Sequence, residues 1–452
     1  MAASTRLTLI AAILGSSIVF IDGTVVNVAL PPIQHELGGG LAAQQWVVDA
    51  YLLTLGSLIL VGGSLGDIFG EVRVFRLGVG WFGLASVLCA FAPNVDTLIV
   101  FRGLQGIAGA LLTPASLAVI TSTFTGTERG AAIGTWTAWS GISTVVGPLL
   151  GGWLIGISSW RVIFFLNVPI AILTLAISAR MAHHESRREG VRVDYVGGTL
   201  CVVGLGAIVF GFIEQPAHGW SAMILASLLG GAAALAAFVI WERKEPQPML
   251  PLRLFRLRNF SVTNVETFAV YGGLSAFSFF LVVFLQQLAG YSPFRAGLTT
   301  LPVTMVMFAL SRYAGRFSMR VGPRWFMAIG PVVAGASTIV LARLPTHVNY
   351  WRDLLPPLLG FSVGLSCTVA PLTTTVLSDA GASDAGVASG VNNAVARVAG
   401  LIAIAVIGIV AASGSTRLTA HGFHLAMLVT GLLMIAGGAI GGVGLRNPAR
   451  TA

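Results

Sequence analysis

Three charged residues lie inside or beside long apolar stretches in the N-terminal part of the sequence. Asp22 and Arg102 are surrounded by apolar residues, and Asp49 lies near the start of another apolar run. A charged side chain in such a segment is costly unless it faces protein or water, and it often marks a proton or ion pathway. A carboxylate beside a fixed positive charge can exchange a proton when its surroundings change. These residue types therefore point to proton coupling.

Membrane-spanning helices must hold these residues. The chain has 452 residues, of which 55% are hydrophobic and 10% charged, with a mean hydropathy of +0.87. Soluble domains carry about 25% charged residues, whereas a spanning helix needs about 20 apolar residues. Helices satisfy the backbone inside a bilayer, where water is absent. The predicted fourteen spans cover residues 8–30, 45–65, 74–92, 97–120, 131–156, 161–180, 195–213, 220–241, 260–288, 295–315, 325–343, 353–377, 386–411 and 422–444.

The loops between these spans predict the topology. If the N-terminus is cytoplasmic, most of the 26 lysine and arginine residues fall in cytoplasmic segments, as the positive-inside rule requires. An even number of spans then places both termini inside. Two longer charged loops, 181–194 and 242–259, divide the spans into six, two and six. We therefore predict an N-terminal bundle at 1–180, two inserted helices at 181–259 and a C-terminal bundle at 260–452, unless these loops are ordinary connections.

The predicted depths of the charged residues bring them together. Asp22 lies about 21 Å along the first span, and Arg102 lies about 8 Å below the outer end of the fourth. In a core about 30 Å thick, both fall at nearly one level, and Asp49, about 6 Å into the second span, lies close to it. Asp22 and Arg102 are expected to face each other, with Asp22 carrying the coupling proton and Arg102 as its electrostatic partner. Asp49 is a weaker candidate that water could hydrate. The alternative is a structural ion pair that locks two spans together.

Other classes of function find little support. The sequence has no cluster of histidine, cysteine and carboxylate with metal-ligand spacing and no nucleophile paired with a base. It also lacks a phosphate-binding glycine loop, so ATP is not expected to drive the protein. The net charge of +9 is spread over short loops, unlike the basic face of a nucleic-acid-binding protein. Cys89, Cys201 and Cys367 are too widely spaced to predict a metal site or a disulfide framework. We expect neither enzyme activity nor a metal or cofactor.

Two loops have similar positions in the two predicted bundles. The loop after the second span contains Gly63, Asp67, Gly70 and Arg73. Glycine permits a tight reversal between helices, and a carboxylate can pair with a helix N-terminus or with arginine. The loop after the tenth span, residues 315–324, is also rich in glycine and arginine. The repeated position favours an internally repeated transporter architecture.

These loops resemble the signature loops of the major facilitator superfamily. The first departs from the usual pattern at Ile68 and Val72, where a basic residue is common, and the second has Met319 in place of an acidic residue. Further segments resemble the fourteen-span drug:proton antiporter family within it. They are Asp22–Pro31 in span one, Arg102–Gly106 in span four, Gly141–Gly152 in span five, Trp160–Pro169, and Asn392–Asn393 with Arg397.

This resemblance implies an all-α membrane fold of two six-helix bundles plus two additional helices. It also implies conformational roles for two motifs. The residues concerned are Gly63, Asp67, Gly70 and Arg73 in the loop, and Gly147, Pro148, Gly151 and Gly152 in the fifth span. Gly147 and Gly151 share a helix face that permits close packing, and Pro148 removes one helix hydrogen bond. In the family, this span is the place where the bundles move against each other.

Several polar residues are candidates for the transport cavity. They are Gln105, Glu266, Asn392, Asn393 and Arg397. Glu266 either lines the cavity or extends to the inner surface, and the sequence does not choose between these positions. Arg397 lies about 16 Å into its span, a depth at which a cation must face protein or water.

The sequence and the resemblance together predict a proton-coupled antiporter. It would export small amphipathic or lipophilic compounds through a largely apolar cavity, using a proton gradient and acting as a monomer in the cytoplasmic membrane. Its partners would be substrate, protons and lipid. The alternatives are a proton-coupled symporter and an exporter of one metabolite or lipid; the scarcity of polar groups at mid-membrane depth disfavours a symporter of sugars or acids.

Overall fold

The computed structural model describes residues 3–181, 192–412, 415 and 417–447. Within these residues the chain forms fifteen α-helices. The helices are α1 Ala3–Leu37, α2 Leu41–Phe69, α3 Glu71–Ala90, α4 Val95–Thr123, α5 Gly126–Ile157, α6 Val162–Phe165, α7 Asn167–Ser178, α8 Tyr195–His218, α9 Ala222–Lys244, α10 Arg258–Gln287, α11 Pro293–Thr299, α12 Leu301–Val321, α13 Pro323–Leu341, α14 Leu355–Ala412 and α15 Ala420–Gly444.

The helices confirm the predicted fold class. Thirteen helical segments of the described chain are long and apolar enough to cross a membrane, and a shorter apolar segment, Val162–Ser178, corresponds to the predicted sixth span. This segment is interrupted at Leu166 between α6 and α7. Pro169 has no N–H to donate to the carbonyl of Phe165, four residues earlier, which explains why the helix is weakest there. The count of about fourteen spans is consistent with the prediction.

The longest helix contains two spans. A straight helix of the 58 residues in α14 would measure about 87 Å, far more than the bilayer core. Its contacts with α10 instead show that the chain reverses. In chain order, these contacts join Phe361 with Phe277, Asp379 with Phe260, and Asn392 with Asn264. The two arms match the candidate spans Tyr350–Ala380 and Gly386–Ala412.

The helices group into two compact units. The first comprises Met1–Ile208, Ala226–Leu250 and Ser292–Gly297, and the second comprises Val209–Leu225, Pro251–Tyr291 and Leu298–Ala452. The first part of α8 and the last part of α9 therefore belong with the N-terminal helices. The separate inserted pair at 181–259 stays a prediction.

Small residues allow α8 to pack closely on its neighbours in the first unit. A Cβ added at Gly198 would lie 3.0 Å from Val61 of α2, and one added at Gly204 would lie 2.8 Å from Leu235 of α9. On α9 itself, Leu229 is 72% exposed. An apolar helix with this exposure is suited to face lipid.

Candidate proton-coupling site

The site is formed by five helices of the first unit, and close packing of α2 and α4 brings its parts together. At Gly106 on α4, an added Cβ would lie only 3.1 Å from the carbonyl carbon of Tyr51 on α2. The backbones of the two helices therefore nearly touch. Arg102 lies one turn before Gly106 on α4, so its side chain meets α2 at the same contact and extends toward Asp22 on α1.

The centre of the site is a buried ion pair. Arg102 Nη1 lies 2.6 Å from Asp22 Oδ2, and the two side chains are 1% and 0% exposed. The guanidinium also donates from Nε to the carbonyl of Val47 at 3.1 Å. Its Cζ lies 4.3 Å from the ring centroid of Tyr51, a cation–π distance. Arg102 is thus held on three sides, as a rigid fork of donors permits.

Two amides complete the surroundings of the carboxylate. Gln105 Nε2 donates to Asp22 Oδ1 at 2.9 Å, and Asn167 Nδ2 donates to the same oxygen at 3.1 Å. Both amides also donate to Ser86 Oγ, at 2.9 and 3.2 Å. Gln105 accepts from Arg102 at 2.6 Å. Gln105 was expected in the cavity, but it is fully buried and belongs to this network.

This arrangement is suited to an ionised Asp22. The carboxylate accepts from one guanidinium and two amides, and charge-assisted hydrogen bonds of this kind favour the charged form. Binding a proton at Asp22 therefore requires a change in at least one of these contacts. Movement of α1 against α4 or α7 would provide it, because the three donors come from the latter two helices.

Asp49 has different surroundings from those expected. The expectation that water hydrates it near the end of a span is wrong for this conformation, because Asp49 is 0% exposed. Neither of its carboxylate oxygens has a hydrogen-bond partner within the described part of the chain. An unpaired buried charge is very costly, and the described surroundings of Asp49 provide no hydrogen bond to offset that cost.

Asn167 is a member of the site that the sequence did not single out. It appeared only as one letter of the Trp160–Pro169 segment, although an amide in an otherwise apolar stretch was a usable signal. The break between α6 and α7 makes Asn167 the first residue of α7. Its Oδ1 has no hydrogen-bond partner in the described chain.

The polar candidates of the C-terminal half lie in the second unit. Asn392 on α14 donates to Asn264 and Thr267 of α10, at 3.1 and 2.8 Å, and so joins two helices of the second unit. Asn393 is exposed and donates to the carbonyl of Ser389 at 3.1 Å on its own helix.

The two remaining cavity candidates also lie in the second unit. Arg397 is half-buried in the second arm of α14. Glu266 on α10 is 0% exposed, so in this conformation it neither lines an open cavity nor extends to the surface. A role for Glu266 in the transport cavity at another stage of the cycle stays a prediction.

The signature loop forms the predicted tight reversal. Gly70 joins α2 to α3 with φ +91°, and Gly322 joins α12 to α13 with φ +101°. Residues other than glycine are strained at such positive φ angles. Asp67 is half-buried in the last turn of α2, and Arg73 is exposed in the first turn of α3. The matching geometry of the two glycines agrees with the repeat inferred from the loop positions, while a gating role for Gly63, Asp67, Gly70 and Arg73 stays a prediction.

The fifth-span motif provides close helix contacts, and α5 continues through Pro148 without a break. A Cβ added at Gly147 would lie 3.0 Å from the carbonyl oxygen of Ile21 on α1, adjacent to Asp22. Gly151 faces Val25 of the same helix. A Cβ added at Gly152 would lie 2.7 Å from the backbone of Phe294. The motif thus fixes the approach of α5 to the helix that carries Asp22.

Comparisons with known proteins identify the family. The family model described as "Major Facilitator Superfamily" matches residues 12–404. The chain is 34% identical over 416 residues to "Multidrug resistance protein Stp" of Mycobacterium tuberculosis (strain CDC 1551 / Oshkosh), covering 90% of this chain and 76% of the relative. It is 35% identical over 422 residues to "Puromycin resistance protein pur8" of Streptomyces alboniger, covering 92% and 83%. It is 32% identical over 417 residues to "Tetracenomycin C resistance and export protein" of Streptomyces glaucescens, covering 90% and 76%.

Solved structures share the fold at low sequence identity. A peptide transporter, POT, in complex with sulfate superposes with a TM-score of 0.70 at 15% identity, covering 97% of this chain and 93% of that one. A D-xylose-proton symporter superposes with a TM-score of 0.69 at 14% identity and covers 98% of both chains. These similarities show the fold alone.

Proposed function

This chain belongs to the major facilitator superfamily, and we propose that it exports small amphipathic or lipophilic compounds from the cell in exchange for protons. As a multi-pass membrane transporter of this family it is not an enzyme and needs no cofactor. Three of the relatives that match most of its length are named for multidrug resistance, for puromycin resistance, and for tetracenomycin C resistance and export. The proposed cargo is of the same broad kind: drugs, dyes or related metabolites with apolar surface.

One observation carries the proton coupling. The carboxylate of Asp22 and the guanidinium of Arg102 form an ion pair that is closed to solvent in the membrane-spanning part of the chain. A purely structural contact between helices could be made with apolar residues, often at no loss of stability. A titratable pair in this place is better explained by a change of protonation during the transport cycle.

In the proposed cycle, cargo is exchanged for a proton through a change in the protonation state of Asp22. Opening toward the outside hydrates the site and loosens the contact with Arg102, so that Asp22 binds a proton. When the site opens toward the cytoplasm again, the Asp22–Arg102 ion pair forms again, and the proton passes from Asp22 to water. Asp49 on α2 provides a second carboxyl of the same unit that can hold a proton. The external proton gradient thereby drives the export of cargo.

The remaining parts of the proposal concern topology and gating. Both termini are cytoplasmic, and the membrane is the cytoplasmic membrane, as the distribution of arginine indicates. Asp67 helps to close the cytoplasmic side when the cargo site faces outward. The exposed apolar surface of α9 supports a position of the inserted pair next to lipid, and we propose that the protein acts as a monomer.

The direction of transport can be tested with a fluorescent cation. Cells that express the chain should accumulate less ethidium than cells that lack it, and a protonophore should remove the difference. Puromycin serves as a second probe, through survival of the same cells. Greater accumulation of ethidium on expression would indicate uptake and contradict the proposal, and export that persists after the gradient is collapsed would contradict proton coupling.

A further inference from the structure

A buried carboxyl of the second unit lies outside the Asp22 network. Glu266 lies two turns after the start of α10 and is 0% exposed. Neither Oε1 nor Oε2 has a hydrogen-bond partner in the part of the chain that the structure describes. Asp22 is satisfied by three donors, whereas Glu266 has none among the described residues, so the two acids are in opposite environments.

Glycine at one position of α15 makes room for this carboxyl. A Cβ added at Gly441 would lie 2.9 Å from Glu266 Cδ and 3.1 Å from the carbonyl oxygen of Met327 on α13. One turn earlier, an added Cβ at Gly437 would lie 2.8 Å from Cβ of Ala269. The carboxyl therefore sits against the backbone of α15, in the packing of three helices, and any larger side chain at position 441 would displace it.

Several charged groups near α10 make polar contacts with groups other than Glu266. The charged and histidine residues described on α10 and on the elements near it are Arg253, Arg256, Arg258, Arg324, Asp379, Asp384, Arg397, His421, His424 and Arg446. Arg324 Nε donates to the carbonyl of Gly442 at 2.6 Å, and Arg258 Nε donates to that of Gly444 at 2.8 Å. Both guanidinium groups thus cap the C-terminal end of α15, where positive charge is favourable. Asp379 accepts from the backbone N–H of Phe260 at 3.0 Å.

We propose that Glu266 is a second proton-binding site, protonated in this conformation and deprotonated at another stage of the exchange cycle. An ionised carboxylate without a donor or a counter-charge is far more costly in a dry interior than a neutral carboxylic acid. The proposal rests on proton-coupled export as the function of the chain. The proposal adds Glu266, in the second unit, as a proton carrier besides Asp22 on α1.

The geometry also provides a consequence of deprotonation. When α10, α13 and α15 separate enough to admit water, the O–H bond of Glu266 breaks and the proton passes to water. The resulting carboxylate attracts Arg324, which is anchored at Gly442, the residue after Gly441. Arg324 then leaves the carbonyl of Gly442, and the end of α15 loses one cap. Return of a proton from hydronium to the Glu266 carboxylate reverses these steps and restores the packing described here.

Infrared spectroscopy tests the protonation directly. Purified protein near neutral pH should show the carbonyl stretch of a protonated carboxylic acid, and Glu266→Gln should remove that part of the signal. Glu128→Gln changes an exposed glutamate at the start of α5 and should leave the acid band intact. Glu266→Met provides the same comparison if the glutamine variant does not fold. Loss of a carboxylate band instead of an acid band would overturn the proposal.

Transport measurements test whether this proton is used. In inverted vesicles with an imposed pH gradient, Glu266→Gln should lose gradient-driven ethidium uptake while the purified variant still binds ethidium. Uptake at the wild-type rate would overturn a role for Glu266 in the exchange. If the wild-type protein itself shows no gradient-driven uptake, proton-coupled export of ethidium fails as the function, and the infrared comparison still decides whether Glu266 holds a proton.

Discussion

Arg102 Nη1 lies 2.6 Å from Asp22 Oδ2, although the two residues are 80 positions apart in the sequence. Both side chains are closed to solvent. Gln105 and Asn167 hold the second carboxylate oxygen, so the pair is connected to α1, α4 and α7 at once. A change of charge at Asp22 would therefore be felt by three helices of the first unit.

Removing the guanidinium should destabilise the protein strongly. Arg102→Met leaves a buried carboxylate without its counter-charge, a defect that costs about 3–5 kcal/mol. The double variant with Asp22→Asn should recover part of this loss, since no buried charge then remains. Thermal unfolding in detergent measures both effects, with Arg343→Met, at an exposed position, as the control. Equal melting of Arg102→Met and the wild type, or losses that simply add in the double variant, would contradict the pairing.

The amide of Asn167 should matter as a positioning group. Asn167→Ala removes a donor to Asp22 and a donor to Ser86, and a lost hydrogen bond to a charged group costs about 1.5–3 kcal/mol. We expect a lower melting temperature and slower ethidium export. Gln247→Ala, which changes an exposed amide in the loop after α9, should alter neither quantity. If the two variants behave alike, Asn167 does not support the site.

The close contact of α5 with α1 predicts a sensitive glycine. Gly147→Ala would push a methyl group toward the carbonyl of Ile21, and overpacking of this kind costs about 1–3 kcal/mol. The variant should therefore be less stable and export ethidium more slowly. Gly156 lies on the same helix with no atom within 4 Å of an added Cβ, so Gly156→Ala should be tolerated. Equal behaviour of the two alanine variants would show that the helix contact is not limiting.

Asp67→Asn tests the signature loop. Its carboxylate lies half-buried at the end of α2, next to the reversal at Gly70. If it helps to close the cytoplasmic side, the asparagine variant should be made in normal amounts and export ethidium more slowly. Asp96→Asn, at an exposed position in the first turn of α4, is the matched control. Wild-type export by Asp67→Asn would remove this role.

Much of the fold was predictable because a bilayer requires long apolar helices. The depths of Asp22 and Arg102 were also readable, since helical rise converts sequence position into distance. The partners of the pair were not readable, because Asn167 reaches Asp22 only through the break between α6 and α7. The burial of Asp49 and Glu266 depends on packing between helices distant in sequence, which span positions alone do not specify. For the same reason Gln105 was placed in the cavity and not in the network.

The central claim is that Asp22 carries the coupling proton, and transport by Asp22→Asn tests it most directly. Inverted membrane vesicles from cells that express the variant would be given a pH gradient, acidic inside. Ethidium uptake into these vesicles would be followed by fluorescence. Binding of ethidium to the same variant in detergent shows whether the cargo site is intact. The account predicts that binding persists while gradient-driven uptake is abolished. Uptake at the wild-type rate would show that the Asp22–Arg102 pair is structural and that the coupling proton is carried elsewhere.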